Sequence, residues 1–110
     1  MGDIEKLNEF TGQVVYLFVE KHCLNIDLVT YGSLGFIEFY LTNKRGLFIT
    51  VKASGLCIGG RDHSTLLVSV ETGDKCNKAS VEIAESDSVQ KICKDLGRVF
   101  GYLTGAHLKI

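Results

Sequence analysis

The residues of this 110-residue chain that could do chemistry gather most densely in Gly59-Gly60-Arg61-Asp62-His63-Ser64-Thr65, which sets a cation, a carboxylate, an imidazole and two hydroxyls behind a pair of glycines. An imidazole oriented by a carboxylate and placed beside a hydroxyl is the apparatus of nucleophilic catalysis. The spacing works against that use. Adjacent residues of an extended chain point to opposite sides, so Asp62 and His63 would orient one another only in a distorted loop, and Ser64 is poorly placed as a nucleophile. No Gly-Lys-Ser/Thr follows the glycines, so the segment is not a phosphate-binding loop. Its plain reading is a polar turn that enters a strand at Leu66.

The thiols give a similar answer. Cys23, Cys57, Cys76 and Cys93 lie 34, 19 and 17 residues apart, and the only close pair of potential metal ligands is the adjacent His22-Cys23. A structural zinc site typically carries a tight cysteine pair, so neither a metal nor another cofactor is expected. Without tight pairs the cysteines read as free thiols. Cys93 falls on an apolar helical stripe and Cys57 at a strand end, while Cys76, between Lys75 and Lys78 in a polar loop, has the best electrostatic case for reactivity.

These residues must be positioned by elements that the hydrophobic periodicity defines. Ile4, Leu7, Thr11, Val14 and Phe18 recur on one helical face, widened by Phe10 and Leu17, and predict a helix from Ile4 to His22 with Asp3 capping its first turn. Gly12 costs that helix about 1 kcal/mol relative to alanine, and Val14 to Val19 alone could instead form a buried strand. From Asn25 the period becomes two, with Asp27, Val29 and Tyr31 opposite Ile26, Leu28 and Thr30, up to a turn at Gly32-Ser33-Leu34-Gly35. The strand Phe36 to Leu41 sets Ile37, Phe39 and Leu41 on one face and Phe36, Glu38 and Tyr40 on the other. Its partner, Leu47 to Ala53, follows Asn43-Lys44-Arg45-Gly46-Leu47, which fits a three-residue loop with Gly46 in the left-handed position. That loop sets Leu41 opposite Ile49, Phe39 opposite Val51, Ile37 opposite Ala53 and Glu38 opposite Lys52.

Strands from Leu66 to Glu71 and from Ala79 to Ala84 follow, joined by the polar loop Thr72 to Asn77. Asp87 with Gln90 has the form of a capping box ahead of a helix whose stripe is Val89, Ile92, Cys93, Leu96, Val99, Phe100 and Leu103. The order predicts a single α+β domain over residues 1–110, an antiparallel sheet of about five strands flanked by an N-terminal and a C-terminal helix. Gly97, Gly101 and Gly105 recur every four residues on that last helix. They serve either close packing within a monomer or the contact of a homodimer.

Composition narrows the functions. The chain is 45% hydrophobic with 23% charged residues, has twelve glycines and no proline, and its formal charge of −1 is spread evenly over both halves. Nucleic-acid binding modules typically have a pI above about 9, against about 6.3 here, so no nucleic-acid partner is expected. The opening Met1-Gly2-Asp3-Ile4-Glu5 is not a secretory start, and Val14 to Val19 is far shorter than the ~20 residues of a membrane span. A soluble, cytoplasmic protein with no membrane partner is the expectation.

One surface remains. Phe36, Tyr40 and Phe48 share the outer hairpin face with Glu38, Thr50 and Lys52. If one helix covers each face of the sheet, these aromatics are core; if both helices lie on one face, they form an exposed patch of the composition that binds protein. Phe36, Glu38, Tyr40, Phe48 and Lys52, with Arg61, Asp62 and His63 of the neighbouring turn, are the candidate partner-binding residues of a non-enzymatic protein-binding domain. The alternative is a small enzyme or ligand-binding protein that uses the Gly59 to Thr65 segment or Cys76. In size, order of elements and lack of a catalytic signature, the chain resembles the small bacterial immunity proteins that neutralise delivered toxins, including those of contact-dependent growth inhibition. That resemblance implies a tight complex with a toxin domain, whose active site is blocked through charged and aromatic surface residues. No motif carries it, so no residue is transferred.

Overall fold

A computed structural model describes residues 4–32 and 34–108. It is an α+β fold in which a helix α1 (Ile4–His22) precedes, and a helix α2 (Val89–Leu108) follows, the five strands of one antiparallel sheet. The strands are β1 (Asn25–Tyr31), β2 (Ile37–Thr42), β3 (Phe48–Ile58), β4 (Arg61–Thr72) and β5 (Lys75–Ile83). They lie side by side in chain order, so every connection within the sheet is a hairpin.

α1 takes the limits its periodicity sets, and Val14 to Val19 is part of it. Val14, Val15, Phe18 and Val19 are buried while Tyr16 and Leu17 face outward, the spacing of a helix and not of a strand. Asp3, expected to cap this helix, lies outside the described residues. The start of α2 differs from the expected capping box. Ser88 Oγ accepts the Lys91 N–H at 3.1 Å and is the N-cap, whereas Asp87 folds back, its Oδ2 accepting the Ala84 N–H at 2.8 Å. That hydrogen bond, reinforced by Lys91, holds the Asp87 carboxyl below the usual carboxylate range.

The β2–β3 hairpin keeps the expected register, with Leu41 opposite Ile49, Phe39 opposite Val51 and Glu38 opposite Lys52. Gly46 has φ +82°, as the left-handed turn position requires. Three strands, β3, β4 and β5, run longer than expected. Gly59 and Gly60, both at positive φ, make a two-residue turn between Ile58 and Arg61, so Arg61 to Thr65 is strand and not loop. The Thr72 to Asn77 loop likewise shrinks to Gly73-Asp74, with Thr72 opposite Lys75, and Cys76 and Asn77 join β5. In β1 the expected strict alternation fails. Ile26 pairs with Leu41 and Leu28 with Tyr40, which leaves Asp27 as a bulge residue and puts Ile26 on the same side as Val29 and Tyr31.

α1 packs on β2 and β3, α2 packs on β4 and β5, and the helices touch each other. Both therefore cover the same face of the sheet. The core between the layers contains Val14, Val15 and Phe18 of α1, Phe39, Leu41, Ile49, Val51, Leu66, Val68 and Val70 of the sheet, and Ile92 and Leu96 of α2. Full burial of each such side chain contributes about 1.5–3 kcal/mol, so the helix-facing side is where the sheet's stability resides. Its other side has no layer over it among the described residues.

Candidate functional site

The uncovered face is built by alternation. Because successive strand residues point to opposite sides, burying Phe39, Leu41, Ile49, Val51, Leu66 and Val68 under the helices sends Glu38, Tyr40, Phe48, Thr50, Lys52 and Leu67 outward. Phe48 keeps 59% of its surface exposed, Leu28 55% and Leu67 45%. Tyr40 is half-buried between them, opposite Leu28 on one side and Thr50 on the other. Tyr40, Phe48, Thr50, Lys52 and Leu67, together with Ser69, Glu71, Lys78 and Ser80, line an open trough of about 700 Å³.

The polar groups of this face are ordered. Tyr40 Oη donates to Glu38 Oε1 at 3.0 Å, and Lys52 Nζ stands 5.8 Å from the centre of the Tyr40 ring. A cation over an aromatic ring at an exposed site contributes about 0.5–1 kcal/mol, enough to hold the phenol between its acid and its base. At the middle of the face the hydroxyls of Thr50 and Ser69 hydrogen-bond to each other across β3 and β4. Cys76 Sγ lies 3.6 Å from Glu71 Oε1, so the group in contact with this thiol is a carboxylate and not the flanking lysines. The result is an apolar patch with hydroxyls and charges of both signs around it.

Four of the eight residues expected to bind a partner, Glu38, Tyr40, Phe48 and Lys52, come together here. Phe36 does not: it precedes β2 and packs against the core, its ring 3.4 Å from where a Cβ on Gly55 would stand. Arg61, Asp62 and His63 lie at the far end of β4, four to six residues and so about 13–20 Å along the strand from Leu67. There Asp62, His63 and Ser64 line a cavity of about 450 Å³ with Glu82, Asp87 and Lys91. Among the described residues no hydrogen bond joins His63 to Asp62 or Ser64, and no group of three or more His, Cys, Asp or Glu is placed to hold a metal ion.

The glycine stripe of α2 divides in two. At Gly97 a Cβ would stand 3.2 Å from His22 Nε2, so this glycine lets the α1 histidine approach, while at Gly101 and Gly105 nothing lies within 4 Å. Partial burial and the Lys21 charge hold the His22 imidazole below its ordinary pKa, and burial pushes the Cys93 thiol up. Sequence reasoning missed Leu28, Leu67, Ser69 and Lys78 as members of the open face. The signal for Leu67 was present, since it alternates with the inward Leu66 and Val68; the bulge at Asp27 concealed Leu28.

Comparison with known protein families, characterised proteins and solved structures finds no match to this chain. Among the described residues no helix is long and apolar enough to cross a membrane.

Proposed function

We propose that the chain is a non-enzymatic protein-binding domain that engages its partner through the open face of the sheet. The observation that carries this reading is the exposure of Phe48, Leu28 and Leu67 on one continuous face, around a Tyr40 held in place by Glu38 and Lys52. Interfaces that form and dissociate have such an anatomy, an apolar and aromatic centre inside a polar rim, with aromatic side chains carrying most of the affinity. A delivered toxin, bound and blocked in the cytoplasm, is the partner class suggested by the small size and the order of elements.

The test compares tagged wild type with Phe48→Ala and Leu67→Ala as bait in a lysate of the cells that make the protein, followed by intact mass analysis of what is retained. Both side chains are largely exposed, so the variants should melt within a few degrees of wild type, while the captured partner is reduced by about tenfold or more, the ~1.4 kcal/mol or more typical of an interface centre. Retention of the same partner in equal amount by both variants would move the interface elsewhere. Rescue of growth by co-expression with the captured protein, where that protein is toxic, tests the inhibitor form of the proposal.

A further inference from the structure

A second concavity, of about 440 Å³, opens where α1 ends, and it is walled by His22 and Cys23, by the β2–β3 connection with Thr72 beside it, and by Phe100 and Thr104 of α2. Its floor is apolar and already packed. The His22 ring lies 4.8 Å from that of Phe18 and 5.3 Å from that of Phe100, and the two phenylalanines meet edge to face at 5.3 Å. Half-buried Leu47 completes this floor.

The lip is cationic. Lys44 and Arg45 are exposed, neither forms an ion pair with a described residue, and no Asp or Glu belongs to the described lining. The loop that bears them is held in shape, because Asn43 Oδ1 accepts the N–H groups of Arg45 at 2.9 Å and Leu47 at 3.0 Å. Two like charges on an ordered loop beside a packed apolar floor make a complement to one kind of small molecule.

We propose that this cleft binds a small amphipathic organic anion, an aryl or short-chain acyl carboxylate whose apolar body lies on Leu47, Phe100 and the His22 ring and whose carboxylate meets Arg45 and Lys44. Its volume falls in the range of small-ligand sites, about 300–1,000 Å³, and arginine presents a fork of donors that matches a carboxylate. The C-terminal end of α1 carries the negative pole of that helix, which sets the carboxylate on the loop side of the cleft, away from Cys23. His22, whose pKa is lowered by its partial burial and by Lys21, supplies ring surface there. The cleft lies on the helix side of the molecule and is independent of the open sheet face.

The experiment titrates the full chain with the fluorescent aryl anion 8-anilinonaphthalene-1-sulfonate and with the neutral N-phenyl-1-naphthylamine, then competes the anion with 4-phenylbutyrate. Wild type should bind one equivalent of the anion saturably and release it to phenylbutyrate. The double substitution Lys44→Ala, Arg45→Ala alters only exposed side chains and should weaken the anion about tenfold or more, as expected for charge-assisted contacts, while leaving the neutral dye within about twofold. Phe48→Ala, on the open face, should leave the anion's affinity unchanged. The proposal is overturned by lack of saturable binding, by equal affinity in the double variant, by failure of phenylbutyrate to compete, or by loss of the dye in Phe48→Ala, which would locate it on the sheet.

Discussion

Cys23 has φ +55°, in the left-handed region, immediately after the last residue of α1. It sits where a helix most often ends in glycine, and the Leu24 N–H donates back to the Val19 carbonyl at 2.9 Å, the six-to-one hydrogen bond of a Schellman motif. A side chain in that conformation brings its Cβ close to the backbone and costs about 1–2 kcal/mol, part of which glycine returns through its greater freedom in the unfolded chain. Cys23→Gly should therefore stabilise the protein by about 0.5–1 kcal/mol, a few degrees in Tm. Thermal or urea unfolding against Cys23→Ala checks it: equal stability of the two variants would show that the backbone is unstrained. The sequence pointed at this residue for its thiol, and its role in the fold, as a helix terminator of an unusual type, was hidden because cysteine is not a terminator by composition.

At the scale of elements, α1 is tied to the sheet by one polar side chain as well as by its apolar stripe. Asn8 Oδ1 accepts the Ile37 N–H at 2.9 Å and its Nδ2 donates to the Gly35 carbonyl at 2.8 Å, so one amide bridges the helix to the start of β2. Alanine there leaves a half-buried N–H and a carbonyl without that partner and should cost about 1–2 kcal/mol, read as a lower urea midpoint with an unchanged m-value; an unchanged midpoint would mean that water replaces the amide. The helices, the β2–β3 register and the left-handed Gly46 were legible because apolar spacing and turn chemistry are local signals. The Asn8 bridge joins residues 29 apart in sequence, the Asp27 bulge depends on where β2 lies, and the ends of β3 and β4 depend on which strands flank them. None of these leaves a periodic trace. The open face was legible only as a pair of alternatives, since an amphipathic stripe shows that a helix covers a sheet and not which of its two faces it covers.

For the whole molecule, the strands are unequal, and this divides the sheet into a supported part and a projecting one. β2 pairs with β3 from Thr42–Phe48 to Glu38–Lys52, and β5 pairs with β4 from Thr72–Lys75 to Ser64–Ile83. Beyond those limits the pairs Leu56–His63, Cys57–Asp62 and Ile58–Arg61 have no third strand beside them among the described residues, a two-stranded ribbon that ends in Gly59-Gly60. The extents of 42 × 27 × 25 Å show a chain longer in one direction than in the others. A two-stranded hairpin is marginal in water without a third strand or a packed face, whereas Ile49 and Val51 of β3 and Val68 and Val70 of β4 belong to the buried core beneath the helices and can open only with it. Amide exchange should follow this division. The N–H groups of Val51 and Val68 should exchange through global unfolding, and those of the ribbon from Cys57 to Asp62 through local opening, faster by about a hundredfold or more. Uniform protection along β3 and β4 would show that the ribbon is as cooperative as the core. Graded protection means that a partner contact made by Arg61, Asp62 and His63 must also order this ribbon, at a cost in affinity that Tyr40 and Phe48 on the rigid part of the sheet do not carry.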